Sequence, residues 1–272
     1  MPLTIATWNI NSVRLRIELV GKLAAELQPD VICLQETKTP DDRFPLKDAA
    51  KFGYPHAAIH GQKGYHGVAI LSKRPFEAVS RQGFCDMGDA RHISVVLGHE
   101  AGLAAPLTIH NFYIPAGGDI PDPAVNEKFR HKLAFLDEAT AWEHLHPQDP
   151  AARSVLVGDL NIAPLEADVW SHKQLLDVVS HTPVEVERLA RLQAAGRWVD
   201  VMRNFIPPDE KLYTWWSYRA ADWEASNRGR RLDHVWATPA LAPTAQAMTV
   251  LREARGWERP SDHVPVAVTF DA

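Results

Sequence analysis

The chain has 272 residues, 46% hydrophobic and 23% charged. That is the balance of a globular protein with a sizeable core, and it excludes disorder, collagen and coiled coil. Lys and Arg total 29 against 34 Asp and Glu, a formal net charge of −5, which argues against coating nucleic acid by bulk charge but leaves room for a local basic patch. Two cysteines, Cys33 and Cys85, cannot build a disulfide framework. With no basic-then-apolar leader and no run approaching the roughly 20 apolar residues of a membrane span, a cytoplasmic protein without membrane contact is expected.

Residues 3–10 read as a strand, being apolar, rich in β-branched residues and bounded by turn formers. Val13, Ile17, Val20, Leu23 and Leu27 then recur at helical spacing, so 13–27 is predicted as a helix that ends before Pro29. The apolar run 31–35 predicts a buried strand, and Cys33 within it a buried structural thiol. Residues 68–71, 93–97 and 107–113 follow as strands, and 126–145 as a helix. A strand at 154–157 leads into the turn Gly158-Asp159-Leu160-Asn161. Residues 183–195 predict a helix, and 231–237 and 264–270 the last strands. With no low-complexity linker and no repeat, one domain spanning 1–272 is expected.

Acidic and amide residues stand at the ends of these strands along the whole chain. They are Asn9 and Asn11, Glu36, Tyr113 with them, Asp159 and Asn161, Asp233, and Asp262 with His263. Each residue by itself is an ordinary turn former. As a set, they form one site if the strand ends converge at a single rim.

Glu36, at the end of an apolar strand, suits a hard divalent cation that prefers oxygen ligands, and Asn9, Asp159, Asn161 and Asp262 are candidates to complete the shell. Zinc is the weaker reading: His56, His60 and His66 lack companion cysteines and an H-E-x-x-H helix. In Ser261-Asp262-His263, the histidine is placed to contact a phosphate oxygen or activate water, with Asp233 a candidate to fix its tautomer. There is no G-x-S-x-G elbow, no P-loop and no G-x-G-x-x-G after a strand. Metal-assisted hydrolysis of a phosphoester remains.

The ordered motifs resemble those of the exonuclease III family of abasic-site DNA endonucleases, within the endonuclease/exonuclease/phosphatase superfamily. They are Thr7-Trp8-Asn9-Ile10-Asn11 with Arg14, Leu34-Gln35-Glu36-Thr37-Lys38, Gly64-Tyr65-His66-Gly67-Val68-Ala69, Asn111-Phe112-Tyr113-Ile114-Pro115-Ala116-Gly117 and Lys128-Phe129-Arg130-His131-Lys132-Leu133. Then come Gly158-Asp159-Leu160-Asn161-Ile162-Ala163-Pro164, Tyr213-Thr214-Trp215-Trp216-Ser217-Tyr218, Arg231-Leu232-Asp233 and Ser261-Asp262-His263. The match in order and spacing runs over essentially the whole chain.

The resemblance implies an α/β fold, a four-layer αββα sandwich of two mixed β-sheets face to face with helices outside. It implies Mg²⁺-assisted cleavage of duplex DNA 5′ to abasic sites, with Mn²⁺ as substitute, together with 3′→5′ exonuclease action and removal of 3′ blocking groups, by a monomer. Glu36 matches the principal metal ligand, with Asn9 and Asp262 nearby. Asp159 matches the group that activates water, and Asn161 one that orients phosphate and water, both near a second metal. Tyr113 is expected against the scissile phosphate, His263 on a phosphate oxygen with Asp233 holding its ring, and Lys38 beside metal and phosphate. Trp215, Trp216 and Leu232 match the pocket that accepts a flipped sugar without its base. Arg91 is expected on a backbone phosphate, within a rim that includes the basic loop 227–231. Two positions depart from the family. Asn11 stands where some relatives carry Asp, and Arg230 where some carry an apolar or aromatic pocket residue. A same-fold phosphatase for inositol phosphates or lipids, and a DNA-binding module with a decayed site, are the alternatives. The Tyr113 and Trp215 motifs weigh against the first and the filled catalytic positions against the second.

Overall fold

The computed structural model describes residues 2–272. In chain order its strands are β1 (Pro2–Asn9), β2 (Val31–Gln35), β3 (His56–His60), β4 (Val68–Ser72), β5 (Ala78–Ser80), β6 (His92–Leu97), β7 (Leu107–Tyr113), β8 (Ser154–Asp159), β9 (Val199–Asp200), β10 (Trp215–Trp216), β11 (Gly229–Arg230), β12 (Asp233–Ala237), β13 (Ala245–Val250) and β14 (Val266–Asp271). One six-stranded sheet runs β13-β14-β1-β2-β4-β3 and the other β5-β6-β7-β8-β12-β9, while β10 and β11 form a small ribbon. The helices used below are α1 (Val13–Leu27), α2 (Leu46–Lys51), α3 (Glu127–Ala141), α4 (His172–Leu175) and α5 (Pro183–Ala195).

Strand alternation builds the layers. Leu3 and Ile5 of β1, Val31 and Cys33 of β2, and Val155 and Val157 of β8 point into one shared core between the sheets. Their neighbours point outward. Trp8, Ile32 and Leu34 meet Val13, Val20 and Leu23 of α1, while Phe112, Leu156 and Trp236 meet Phe135 and Leu136 of α3 and Leu189 and Leu192 of α5. Helix, sheet, sheet and helix therefore stack in four layers, as the resemblance implied. Cys33 is fully buried, and that burial pushes its thiol far up. No helix among the described residues is long and apolar enough to cross a membrane.

The predicted elements differ from the observed ones at a few ends. The helix expected over 126–145 stops at Ala141, because Trp142 has extended backbone, and Glu143–Leu145 is a separate 3₁₀ turn. The strand expected from residue 231 starts at Asp233, since the Arg231 amide bonds the Asp168 carbonyl and the Leu232 amide the Thr214 hydroxyl. The final strand begins at Val266 rather than 264, because the Val264 amide bonds the Thr214 carbonyl.

Topology also brings the polar strand ends together. β1 is parallel to β2, and β7 to β8, so Asn9, Glu36, Tyr113 and Asp159 leave their sheets at one edge. β12 and β14 run antiparallel to these neighbours, so their beginnings lie at the same edge. In the second sheet Tyr113, Asp159 and Asp233 are direct cross-strand partners. Beneath the edge, Gln35 Nε2 donates to Asn111 Oδ1 at 2.7 Å, and Asn111 Nδ2 donates to the carbonyls of Leu34 and Ala69, both at 3.0 Å. These buried amides tie the two sheets directly below the site.

Candidate active site

Asp159 sits at the middle of the edge. The preceding Gly158 has φ 141°, and a Cβ there would lie 1.9 Å from the Phe112 carbonyl oxygen, so only glycine allows β7 and β8 to approach this closely. Asn9 Nδ2 bridges two acids, donating to Asp159 Oδ2 at 2.8 Å and to Glu36 Oε1 at 2.9 Å. Its Oδ1 accepts the Asn11 amide. Asn9 therefore presents its amide N–H groups to the acidic pair, while its Oδ1 keeps a lone pair beyond the one that accepts the Asn11 amide. Asn161 likewise spends Nδ2 on Asp159 Oδ2 at 3.1 Å and the Ile114 carbonyl at 2.9 Å, leaving Oδ1 for a cation or water.

On one side, His263 Nδ1 donates to Asp233 Oδ2 at 2.8 Å, and its Nε2 lies 3.6 Å from Asp159 Oδ2. These three residues are buried, with ligand atoms all within 4.8 Å of one another. On the other side, Lys38 Nζ is 2.8 Å from Glu36 Oε2 and donates to Asn11 Oδ1 at 2.6 Å. Asn11 Nδ2 donates to Asp262 Oδ1 at 3.1 Å, and Trp215 Nε1 to Asp262 Oδ2 at 3.0 Å. One polar chain thus runs from Asp233 to Trp215. Asn11, Glu36, Lys38 and Asn161 all have φ between 47° and 54°. This left-handed backbone costs L-residues of order 1 kcal/mol each and gathers at functional sites.

Electrostatics sorts the groups. Burial works to raise the Glu36 carboxyl, but the Lys38 charge and hydrogen bonds from Asn9 and Lys38 outweigh it and hold the group below the usual carboxylate range. Asp159 is raised, first by burial and then by the charges of Asp233 and Glu36, against the pull of His263. Burial disfavours a charged His263, yet Asp233 and then Asp159 overcome it and raise the ring to about 10, so the imidazolium is the neutral-pH form. Burial, then Glu36 and Asp159, lifts the Tyr113 phenol well above its ordinary value and keeps it a neutral donor. The donors are mostly carboxylate and amide oxygens, and Asp233 Oδ1 is buried without a partner among the described residues. That chemistry fits a hard divalent cation.

The edge opens into a cavity of about 660 Å³. Glu36, Asn161 and His263 line its catalytic end; Trp215, Leu232 and Arg230 line a wall. Trp216 borders the cavity but is 2% exposed, packed in the α1-side core with Nε1 on Asn227, so it serves mainly as a support. Arg91, expected on a backbone phosphate, is buried, paired with Asp89 at 2.8 Å and stacked over the Tyr113 ring, so it braces Tyr113. His60 bonds the His92 carbonyl and His66 lies near Asp89, and the three expected surface histidines form no metal cluster among the described residues.

Sequence reasoning missed the Lys132–Glu185 pair, fully buried at 2.5 Å between α3 and α5. Lys132 Nζ also donates to the Asn161 carbonyl at 2.8 Å. It missed Thr214 too, whose hydroxyl accepts the amides of Leu232 and Asp233. Only Lys132 carried a signal: a lysine placed among the apolar positions of a helix.

The chain belongs to the endonuclease/exonuclease/phosphatase family, whose model matches residues 6–263. It is similar to exodeoxyribonuclease III of Haemophilus influenzae, 33% identical over 273 residues that cover 97% of this chain and 98% of that protein. Among solved structures it is similar to an AP endonuclease from Archaeoglobus fulgidus, with TM-score 0.88 and 33% identity over 99% of this chain and 100% of that one. It is also similar to the 3′ phosphatase NExo from Neisseria bound to product DNA hairpin, with TM-score 0.86 and 31% identity over 99% and 100% of the two chains. The protein is thus a hydrolase of the exonuclease III type, a DNA-repair nuclease.

Proposed function

We propose that this nuclease cuts duplex DNA on the 5′ side of abasic sites, assisted by Mg²⁺ or Mn²⁺, and that it also degrades 3′→5′ and clears blocked 3′ ends. The observation that carries this reading is the position of the cavity: an apolar wall of Trp215 and Leu232 opens directly beside His263, Asn161 and Glu36. A sugar without its base could enter that slot while its 5′ phosphate meets the polar chain.

In this reading, Asp159 accepts the proton of the attacking water, a task suited to a carboxyl whose proton affinity burial has raised. Asn161 and Asn9 fix its orientation. The His263 imidazolium donates from Nε2 to a phosphate oxygen, and Asp233 keeps its Nδ1 proton in place. Tyr113 donates its phenolic proton to another, and Lys38 balances Glu36 beside it. Glu36, Asp159, Asp262 and the free Oδ1 of Asn161 would hold the metal, which supplies Lewis-acid stabilisation of phosphoryl charge and a more acidic water. We take the nuclease to act as a monomer.

The test is one labelled duplex with a central abasic analogue, run beside an undamaged duplex and inositol phosphates, with and without chelator. A single Mg²⁺-dependent cut 5′ to the lesion supports the proposal. Phosphate release from the inositol substrates alone overturns it.

A further inference from the structure

The guanidinium of Arg230 is half used. Its Nη1 spends both hydrogens on the cavity wall, donating to the Val179 carbonyl at 3.0 Å and the Ser180 hydroxyl at 2.7 Å. The three N–H groups of Nε and Nη2 meet no protein acceptor among the described residues, and the side chain lines the cavity. The fork is also held still. Its Cζ lies 5.3 Å from the Trp215 ring centroid, and Trp215 is tethered to Asp262. Behind it, Glu185 accepts the Ser180 amide at 3.0 Å, and Lys132 joins Glu185 to the Asn161 carbonyl. A continuous buried network therefore sets the position of Arg230 relative to the hydrolytic edge.

We propose that Arg230 is a specificity-determining residue: its free N–H groups donate to the oxygen on C1′ of an abasic deoxyribose, so the cavity reads that oxygen as well as the absence of a base. A natural abasic sugar carries it as a hemiacetal hydroxyl or an aldehyde, and neither a tetrahydrofuran analogue nor an intact nucleotide does. Beside the apolar wall of Trp215 and Leu232, a fixed charged donor left without an acceptor gives up part of its hydration with no return, which is how such sites reject an analogue lacking one oxygen. The proposal rests on the abasic-site reading above.

The test compares kcat/KM on duplexes bearing a freshly generated natural abasic site or tetrahydrofuran, for the native protein, R230M and R230K. The native protein should prefer the natural site by about 10-fold, the scale of one hydrogen bond from a charged donor. R230M should bring the ratio to within about twofold of unity while tetrahydrofuran is still cut, and R230K should fall between. The tetrahydrofuran rate is the internal control for folding and for the abasic-site reading itself, since a general defect lowers both substrates together. Two results overturn the proposal: a native ratio near unity, or a ratio unchanged in R230M. Equal loss on both substrates with altered salt dependence would assign Arg230 to the DNA backbone instead, and so also overturns it.

Discussion

Lys132→Met probes the buried pair that joins the two outer helices to the catalytic loop. Lys132 and Glu185 are both 0% exposed and 2.5 Å apart. Burial lowers the Lys132 ammonium, with the Glu185 charge opposing that fall. Methionine keeps most of the side-chain volume, so no large cavity opens and the loss is chiefly electrostatic. Removing one partner of a buried pair costs about 3–5 kcal/mol, because the other charge is stranded. Glu185 retains donors from the Ser180 amide, the Thr182 amide and the Thr182 hydroxyl at 2.6 Å, which places the loss near the lower end, about 3 kcal/mol. For a chain of this size that is a fall in Tm of roughly 6–10 °C. The double variant K132M/E185Q removes the stranded charge but keeps an acceptor for Ser180 and Thr182, so it should recover at least half of the loss. Denaturant titration and thermal melts of both variants and of E185Q measure this. A K132M protein within about 1 kcal/mol of native, or a double variant as unstable as the two single losses added, refutes the reasoning.

The catalytic edge gives further expectations. Asp159→Asn and His263→Ala should each lower kcat by about 10²–10⁴-fold with DNA affinity largely kept; near-native turnover by either would remove it from the mechanism. Chelation should abolish cleavage and added Mg²⁺ restore it, and full activity in excess chelator contradicts the metal reading. His263 is raised to about 10 from an ordinary 6.5, so its charged form stabilises the fold fully below about pH 6.5, and that contribution disappears as pH rises to about 10. Tm of the metal-free protein should therefore slope downward over this window and flatten in Asp233→Asn; equal slopes refute the pairing. Arg91→Met, which removes the brace over Tyr113, should lower kcat by roughly tenfold without changing the salt dependence of DNA binding. A reduced salt slope would show instead that Arg91 contacts phosphate.

How much of this was legible before folding depends on the range of the force involved. Apolar period alone placed α1, β2, β7 and α5 at their observed ends, because each buries one regular face or a continuous run. β13, with no buried residue, and β3, with a half-buried histidine at each end, carry no such signal and were not anticipated. The polar strand ends were visible as a set, and the order of the motifs identified their family. The His263–Asp233 pair was named as a candidate and through the family resemblance, but spacing alone could not establish it across 30 positions; the pairings of Asn9 with Asp159, 150 apart, and of Lys132 with Glu185 were not visible at all. The −5 charge is likewise an average over an acidic edge and an arginine-bearing wall that only the fold sets side by side. Local pattern determines where apolar surface must go. Which donor meets which acceptor was decided by strand direction and register, and these exist only once the two sheets have closed on their common core.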